Sequence, residues 1–512
     1  MTLESAGGGY RRAMLVYAVM CVAMFAASLA RAQSPVVFTF ATVGDNRQDP
    51  SKPDQTTYIY NPSPAAEGGA YYTPGTTLNG APLLQDQIFM QNSAAWSEIQ
   101  SNISGQGATL LFFNGDMIYG YGRPIMPSGW TGNPVTWKGQ QSIYPDAFFE
   151  YIQYAYWRGT VSTLFNSGTY VVPVPGNHET QCNATAAPYS STASNPNCST
   201  TINGGKQAWP DNENAFRANT SDLVQDLVSN TRFSDVTNFF ATNVTGLTVA
   251  SAPGPNSTAC PSGTATSNTC TYTNGTPANN GPINDTQQYL DYSFDLQIPN
   301  TQLLLHFAII NTDPSGSDET APSDWLAGDF AAAAARAQTG NSSGPYTIKY
   351  FVFGHKPAFT YNWSGGGTVA AAGLDSNSYT GPSSNQPNYY RNLFWHVIAQ
   401  YNATYFCGHQ HVPNVQAIAD PTGGSTNTPY QVVVGSGGSP FDDTMTKNGS
   451  IYTEPPETAY SDRYYAWAFV EVHANGGVTL SMTGFPDTGI AGNLYDLTNY
   501  DVPGAVFSGN LQ

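Results

Sequence analysis

Five short, largely apolar runs in this chain each end in a glycine beside a side chain able to hold a metal ion. Val36–Val43 leads to Gly44-Asp45, residues 108–114 to Gly115-Asp116, and Tyr170–Val174 to Pro175-Gly176-Asn177-His178-Glu179. Thr347–Phe353 leads to Gly354-His355, and residues 403–407 to Gly408-His409-Gln410-His411. Short apolar runs closed by turn residues read as buried strands. In open α/β sheets the carboxyl ends of such strands converge on one crevice, and glycine lets backbone approach it closely. The pair His409 and His411 alone says little. Asp, Asn and His repeated at every strand end point to a metal site.

Between these runs the pattern is helical. Residues 84–103 and 146–165 have apolar residues at helical spacing, which gives strand–helix–strand–helix–strand up to Val174. Residues 322–337 open with a proline and continue through an alanine run, and Tyr389–Gln400 is a further helix. Strands are expected at 288–296 and 302–311. Later runs at Tyr430–Val434, 465–472 and 478–483 are expected to close a second sheet. Two stretches lack regular signal: a Pro-, Gly- and Tyr-rich loop at 46–81, and residues 180–285, which read as a long insertion with one helix at 214–229.

Arg11 and Arg12 precede an apolar run at 13–29, and Ala30-Arg31-Ala32 supplies a small-x-small site. That is the layout of a secretory signal spanning residues 1–32, with an uncleaved anchor as the rival reading. The remainder, 33–512, is read as a single domain of a secreted, periplasmic or extracellular protein, with no stable membrane anchor once the signal is cleaved. Loss of three arginines and one glutamate with the signal takes the formal net charge from −18 to −20. Such a chain is repelled by nucleic-acid phosphates, which excludes a backbone-tracking nucleic-acid binder. Export permits disulfides, and the first choice of pairing is Cys182 with Cys198 and Cys260 with Cys270. Cys407, on an apolar strand, reads as a buried thiol.

The strand-end residues together resemble the calcineurin-like metallophosphoesterase family, and within it the purple acid phosphatase branch. The family has an Asp after the first strand, Gly-Asp after the second, Gly-Asn-His-Asp/Glu, a lone His, and Gly-His-x-His. The branch adds a Tyr three residues after the second Asp, here Tyr119, the form Val-x-x-His, here Val352 to His355, and a helix start like Asp324-Trp325-Leu326. The resemblance implies a four-layer αββα sandwich carrying two metal ions about 3.5–4 Å apart. Asp45, Tyr119 and His411 would bind the first ion and Asn177, His355 and His409 the second, with Asp116 bridging. Carboxylate and phenolate suit Fe(III), whereas imidazole and amide suit Zn(II), Mn(II) or Fe(II). His178 would not be a ligand but would protonate the leaving alcohol or hydrogen-bond the phosphate.

One position departs from the pattern. Two residues after Asp45 the branch has Gly and most of the family a ligating His, but this chain has Arg47. A guanidinium cannot ligate a metal. Arg47 either grips a substrate phosphate oxygen or forms an ion pair that orients Asp45 or a loop carboxylate. Tyr119 is either a ligand or an aromatic lining residue. His306 and His396 read as packing residues, His473, Asp295 and Asp313 have no assignment, and Gly435-Ser436-Gly437-Gly438 reads as a tight turn near the cleft. The resemblance implies an exported metal-dependent phosphoric ester hydrolase acting on small phosphate monoesters. The alternatives are a phosphodiesterase or nucleotidase of the same family, and a non-catalytic surface-binding protein on this scaffold.

Overall fold

The computed structural model describes residues 34–47, 91–120, 145–183, 290–313, 321–359, 389–439, 464–486 and 504–512. Shorter pieces are described at 77–78, 81–82, 135–137, 140–143, 206–208, parts of 212–223, 244–249, 362–363, 374 and 445–446. The segment read as an export signal, Cys198, Cys260 and Cys270, and most of the 46–81 and 180–285 loops lie outside the described residues.

Strand β1 (Val36–Val43), helix α1 (Ser93–Gln106), β2 (Leu110–Asn114), α2 (Pro145–Asn166) and β3 (Tyr170–Val174) follow in order. The three strands pair in parallel, β1 with β2 and β2 with β3. Parallel neighbours need a long crossover, which the two helices supply. Helix α1 starts at Ser93 rather than at residue 84 and runs to Gln106 rather than residue 103. Gln91 is held extended by a bridge to Arg47, and the Asn92 side chain caps the helix by accepting from the Ala95 N–H at 3.2 Å.

After a single turn, α3 (Asn177–Thr180), the chain enters a second sheet. Its members are β4 (Val244–Val249), β5 (Tyr292–Gln297), β6 (Leu303–Ile309), β7 (Thr347–Phe353), β8 (Thr404–Cys407), β9 (Pro413–Ala417) and β10 (Tyr430–Val434), in the order β4-β5-β6-β7-β8-β10-β9. Helices α4 (Ser323–Thr339) and α5 (Tyr389–Gln400) make the crossovers from β6 to β7 and from β7 to β8.

The last strands, β11 (Tyr464–His473), β12 (Val478–Pro486) and β13 (Gly504–Asn510), do not join that sheet. They return to the first, in the order β13-β12-β11-β1-β2-β3. Of the three late runs expected in the second sheet, only Tyr430–Val434 is there. The reason is visible in β11, which is apolar on both faces. Ala466, Ala468, Val470 and Val472 enter the core between the sheets, while Tyr465, Trp467 and Phe469 pack under α1 and α2. A strand buried on both faces needs a sheet covered on both sides, and the open edge of β1 offers one.

Alternation along each strand separates three apolar layers. Phe40, Phe112, Phe307, Phe353 and Phe406 meet between the sheets, with Phe112 stacked on Phe353 at 3.6 Å. Leu111 and Phe113 face α1 and α2, whereas Val352, Tyr405 and Cys407 face α4 and α5. The architecture is the expected αββα sandwich, with the ends of β1, β2, β3, β7 and β8 brought to one rim.

Candidate metal centre

At that rim the backbone turns sharply. Asp45, Asp116 and His409 have φ of 59°, 54° and 68°, the left-handed region that side chains other than glycine rarely adopt. Interlocking hydrogen bonds hold them there. The Asp45 N–H donates to the Gly115 carbonyl at 3.0 Å, the Ser439 N–H to the Asp45 carbonyl at 2.8 Å, and the His409 N–H to Asp45 Oδ2 at 3.0 Å. Close approach also dictates the glycines. A Cβ on Gly115 would come within 2.5 Å of His355 Nδ1, and one on Gly408 within 2.3 Å of Asp45 Oδ2.

Asn177, His355, His409 and Asp116 converge most closely. His355 Nε2 is 2.8 Å from Asn177 Oδ1, 3.2 Å from His409 Nδ1 and 3.1 Å from Asp116 Oδ1, and His409 Nδ1 is 2.9 Å from Asn177 Oδ1. The other nitrogen of His355 is engaged, 2.7 Å from the Asn114 carbonyl, so Nδ1 donates and Nε2 presents its lone pair. An imidazole nitrogen, an amide oxygen and a carboxylate oxygen therefore all stand within 3.2 Å of His355 Nε2. Lone pairs so placed repel unless a positive charge lies among them. Ligands about 2.0–2.2 Å from one cation stand roughly 3 Å apart, so this set fits a metal ion.

Asp45 and His411 form a second, looser group. Asp45 Oδ1 is sealed from solvent with no hydrogen-bond donor among the described residues, and His411 Nε2 faces it at 3.6 Å. Asp45, Asp116 and His355 all offer ligand atoms within 4.8 Å of one another. Tyr119 lies against the His178 ring, with centroids 5.6 Å apart. His178 Nδ1 is tied to the Tyr119 carbonyl, and Nε2 points at Asp116 Oδ2 from 3.7 Å. Arg47 also reaches Asp116, with Nε donating to Oδ2 at 3.1 Å and both side chains buried. Arg47 is thus ion-paired, and its partner is Asp116 rather than Asp45.

The electrostatics show a cluster that demands positive charge. Burial pushes the Asp45 carboxyl well above the ordinary range, partly opposed by His355, and Asp116 beside it adds to the rise. Burial acts on Asp116 too, but His178, His355 and Arg47 outweigh it and hold that carboxyl well below the usual range. Burial disfavours charge on His355, yet Asp116 and Asp45 raise it to about 9. Burial together with His355 and Lys356 drives His409 well down. The buried carboxylates beside His355 thus favour positive charge at this place.

Some contributors were not legible in the sequence. Glu179 is wholly buried and accepts from three backbone N–H groups, with Oε2 on Asp116 and Gly176 at 2.8 Å each and Oε1 on Ile118 at 3.1 Å. Burial raises it to about 7, with the Asp116 charge contributing. Its place in Gly-Asn-His-Glu was visible, but not its work of tying the β2 loop to the β3 loop. The Gly435–Gly438 stretch is the expected turn, with Gly437 N–H donating to the Gly44 carbonyl at 2.9 Å. Outside the centre, Asp313 pairs with Lys356 at 2.7 Å, and His473 meets the Ser34 carbonyl at 2.7 Å. His396 is half-buried and bonded to Asp420 at 2.8 Å rather than packed, because its place on α5 faces the 420–425 loop. Cys407 is a free, buried thiol.

No protein-family model matches the sequence, and no curated protein matches it. Solved structures of similar arrangement include a purple acid phosphatase from yellow lupin (Lupinus luteus) seeds, at 11% identity and a TM-score of 0.38, covering 91% of this chain and 53% of that one. This chain thus spans about half the length of the lupin structure. PhoD is similar at 11% identity and a TM-score of 0.36, over 90% of this chain and 68% of that one. A dimetal phosphatase from Danio rerio is similar at 10% identity and a TM-score of 0.36, over 88% and 96%. In the layering of its helices and sheets, the chain is similar to these solved structures.

Proposed function

We propose that this chain is an exported metal-dependent phosphoesterase that hydrolyses phosphate monoesters. The observation that carries the reading is the clustering of His409 Nδ1, Asn177 Oδ1 and Asp116 Oδ1 within 3.2 Å of His355 Nε2. Those four residues would hold one ion, and Asp45, His411 and Tyr119 a second that shares Asp116. Bound there, two ions supply Lewis-acid stabilisation of charge on the phosphoryl oxygens and a nucleophile drawn from water.

The chain's own residues supply positioning and proton transfer. The Asn114 carbonyl fixes the tautomer of His355, leaving Nε2 to ligate. The Tyr119 carbonyl holds the Nδ1–H of His178, so when the ring carries a second proton it sits on Nε2, and passing it to the departing alcohol leaves the neutral Nδ1–H tautomer. Asp116 and Asp45, both wholly buried, provide the negative charge that draws cations out of water. If Fe(III) takes the position beside Tyr119, the phenolate gives a visible charge-transfer band that Tyr119→Phe abolishes.

The test is hydrolysis of p-nitrophenyl phosphate against its bis-ester after reconstitution with iron, zinc or manganese. Faster monoester hydrolysis is expected. Preferential diester cleavage would make the chain a phosphodiesterase. No turnover with any metal, together with tight binding of a glycan or protein, would make it a binding protein on this scaffold.

A further inference from the structure

We infer that Arg47 makes the two cation positions unequal, so that one ion is held tightly by Asn177, His355, His409 and Asp116 while the position beside Asp45 and His411 binds weakly. The inference rests on the metallophosphoesterase reading of the centre and concerns a position where this chain departs from that family's pattern. Asp116 divides its two oxygens. Oδ1 is turned to His355 Nε2 at 3.1 Å and to the His178 N–H at 3.2 Å, on the side of the complete ligand set. Oδ2 is turned the other way and accepts from Arg47 Nε at 3.1 Å. The oxygen that a shared carboxylate would lend to the other ion is therefore already engaged by a permanent cation, since a guanidinium does not deprotonate in proteins.

Arg47 is not a stray side chain that could swing aside at no cost. It is 6% exposed, its backbone bridges to Gln91, and its carbonyl accepts from Ser439 Oγ at 2.6 Å. Its charge lies in a dry rim where screening by salt is weak, so it opposes a second cation placed against the same carboxylate. The described ligands Asp45 and His411 on that side are also less closely drawn together. Asp45 Oδ1 and His411 Nε2 stand 3.6 Å apart, and His411 is partly open to solvent. The guanidinium supplies at this position part of the positive charge that an ion would otherwise bring.

The test uses the purified chain stripped of metal and titrated with Mn(II), followed by calorimetry and electron paramagnetic resonance. One equivalent is expected to bind tightly and a second on the order of 10–100-fold more weakly. The spectrum at one equivalent should be the six-line signal of isolated Mn(II), with exchange coupling appearing only in excess metal. Arg47→Gln should bring the second affinity toward the first, whereas Arg47→Lys, which keeps the charge, should preserve the gap. Retention of the tight site reports that each variant is folded. Two equal affinities in the unmodified chain would overturn the inference and leave the phosphoesterase reading intact. So would an unchanged gap in folded Arg47→Gln. Absence of any Mn(II) binding would overturn both.

Discussion

Asp45, Asp116 and His409 sit in backbone conformations that cost on the order of 1–3 kcal/mol each. Such strain persists only where neighbours fix it, and here each strained residue is also a candidate ligand. His178 is different: it adjoins Asp116 but its ring is fixed by the Tyr119 carbonyl. Replacing His178 by Ala should leave metal content unchanged, measured by elemental analysis, and lower kcat by about 100–10,000-fold. Equal loss of metal would make it a ligand instead. Asp45, Asp116, Asn177, His355 and His409 were legible because each follows a buried run and a glycine. Their partners were not. Nothing local links Arg47 to Asp116, or Glu179 to the Asp116 and Ile118 amides, because those contacts exist only once three strand ends are folded side by side.

Among the elements, α4 is pinned to the second sheet by charge as well as by packing. His306 on β6 lies 2.6 Å from Asp295 of β5 through Nδ1 and 2.9 Å from Asp329 of α4 through Nε2, with no solvent exposure. Arg336 of α4 completes the network on Asp295, Ser293 bonds Asp329, and the rings of Phe330 and Tyr350 flank the imidazole. Burial opposes charge on His306, but hydrogen bonds and charge from Asp295 and Asp329 raise it above 6.5. A raised pKa in the folded state means stability that is full below the unfolded value of 6.5 and lost as pH climbs through the folded one. The urea midpoint of the chain should therefore fall on going from pH 6 to pH 9, an effect that His306→Gln should blunt. At pH 6 that substitution should cost on the order of 3–5 kcal/mol, because it leaves buried carboxylates uncompensated. The sequence placed His306 in a strand and gave it a packing role. The acids that make it a pin come from a neighbouring strand and a helix, which a linear pattern does not join.

At the level of the whole molecule, the centre is a seam. Asp45, Asp116 and Asn177 follow strands of the first sheet, while His355, His409 and His411 follow strands of the second. Metal bound across the seam must stabilise the fold, by about 2.7 kcal/mol when free metal is a hundredfold above its dissociation constant. Chelation should accordingly lower the melting midpoint of the native chain, followed by circular dichroism, and have little effect on His409→Ala. The layered architecture was readable from runs buried on both faces and from the helices between them. The allocation of late strands was not, since β11 would suit any covered sheet, and β9, with Pro413, Asn414 and Gln416, carries too few apolar residues to announce itself.

The position of β11 also has a temporal meaning. Val36 pairs with His473, and β1 lies between β11 and β2, so one neighbour of β1 is made soon after it and the other only much later along the chain. Until it emerges, one side of β1 is an unpaired row of amides and carbonyls, an edge that invites association with other chains. Pairings so distant along the chain form slowly. A growing polypeptide with this topology gains most from being kept unfolded until β11 has been made, and fragments ending before residue 464 should be prone to aggregation.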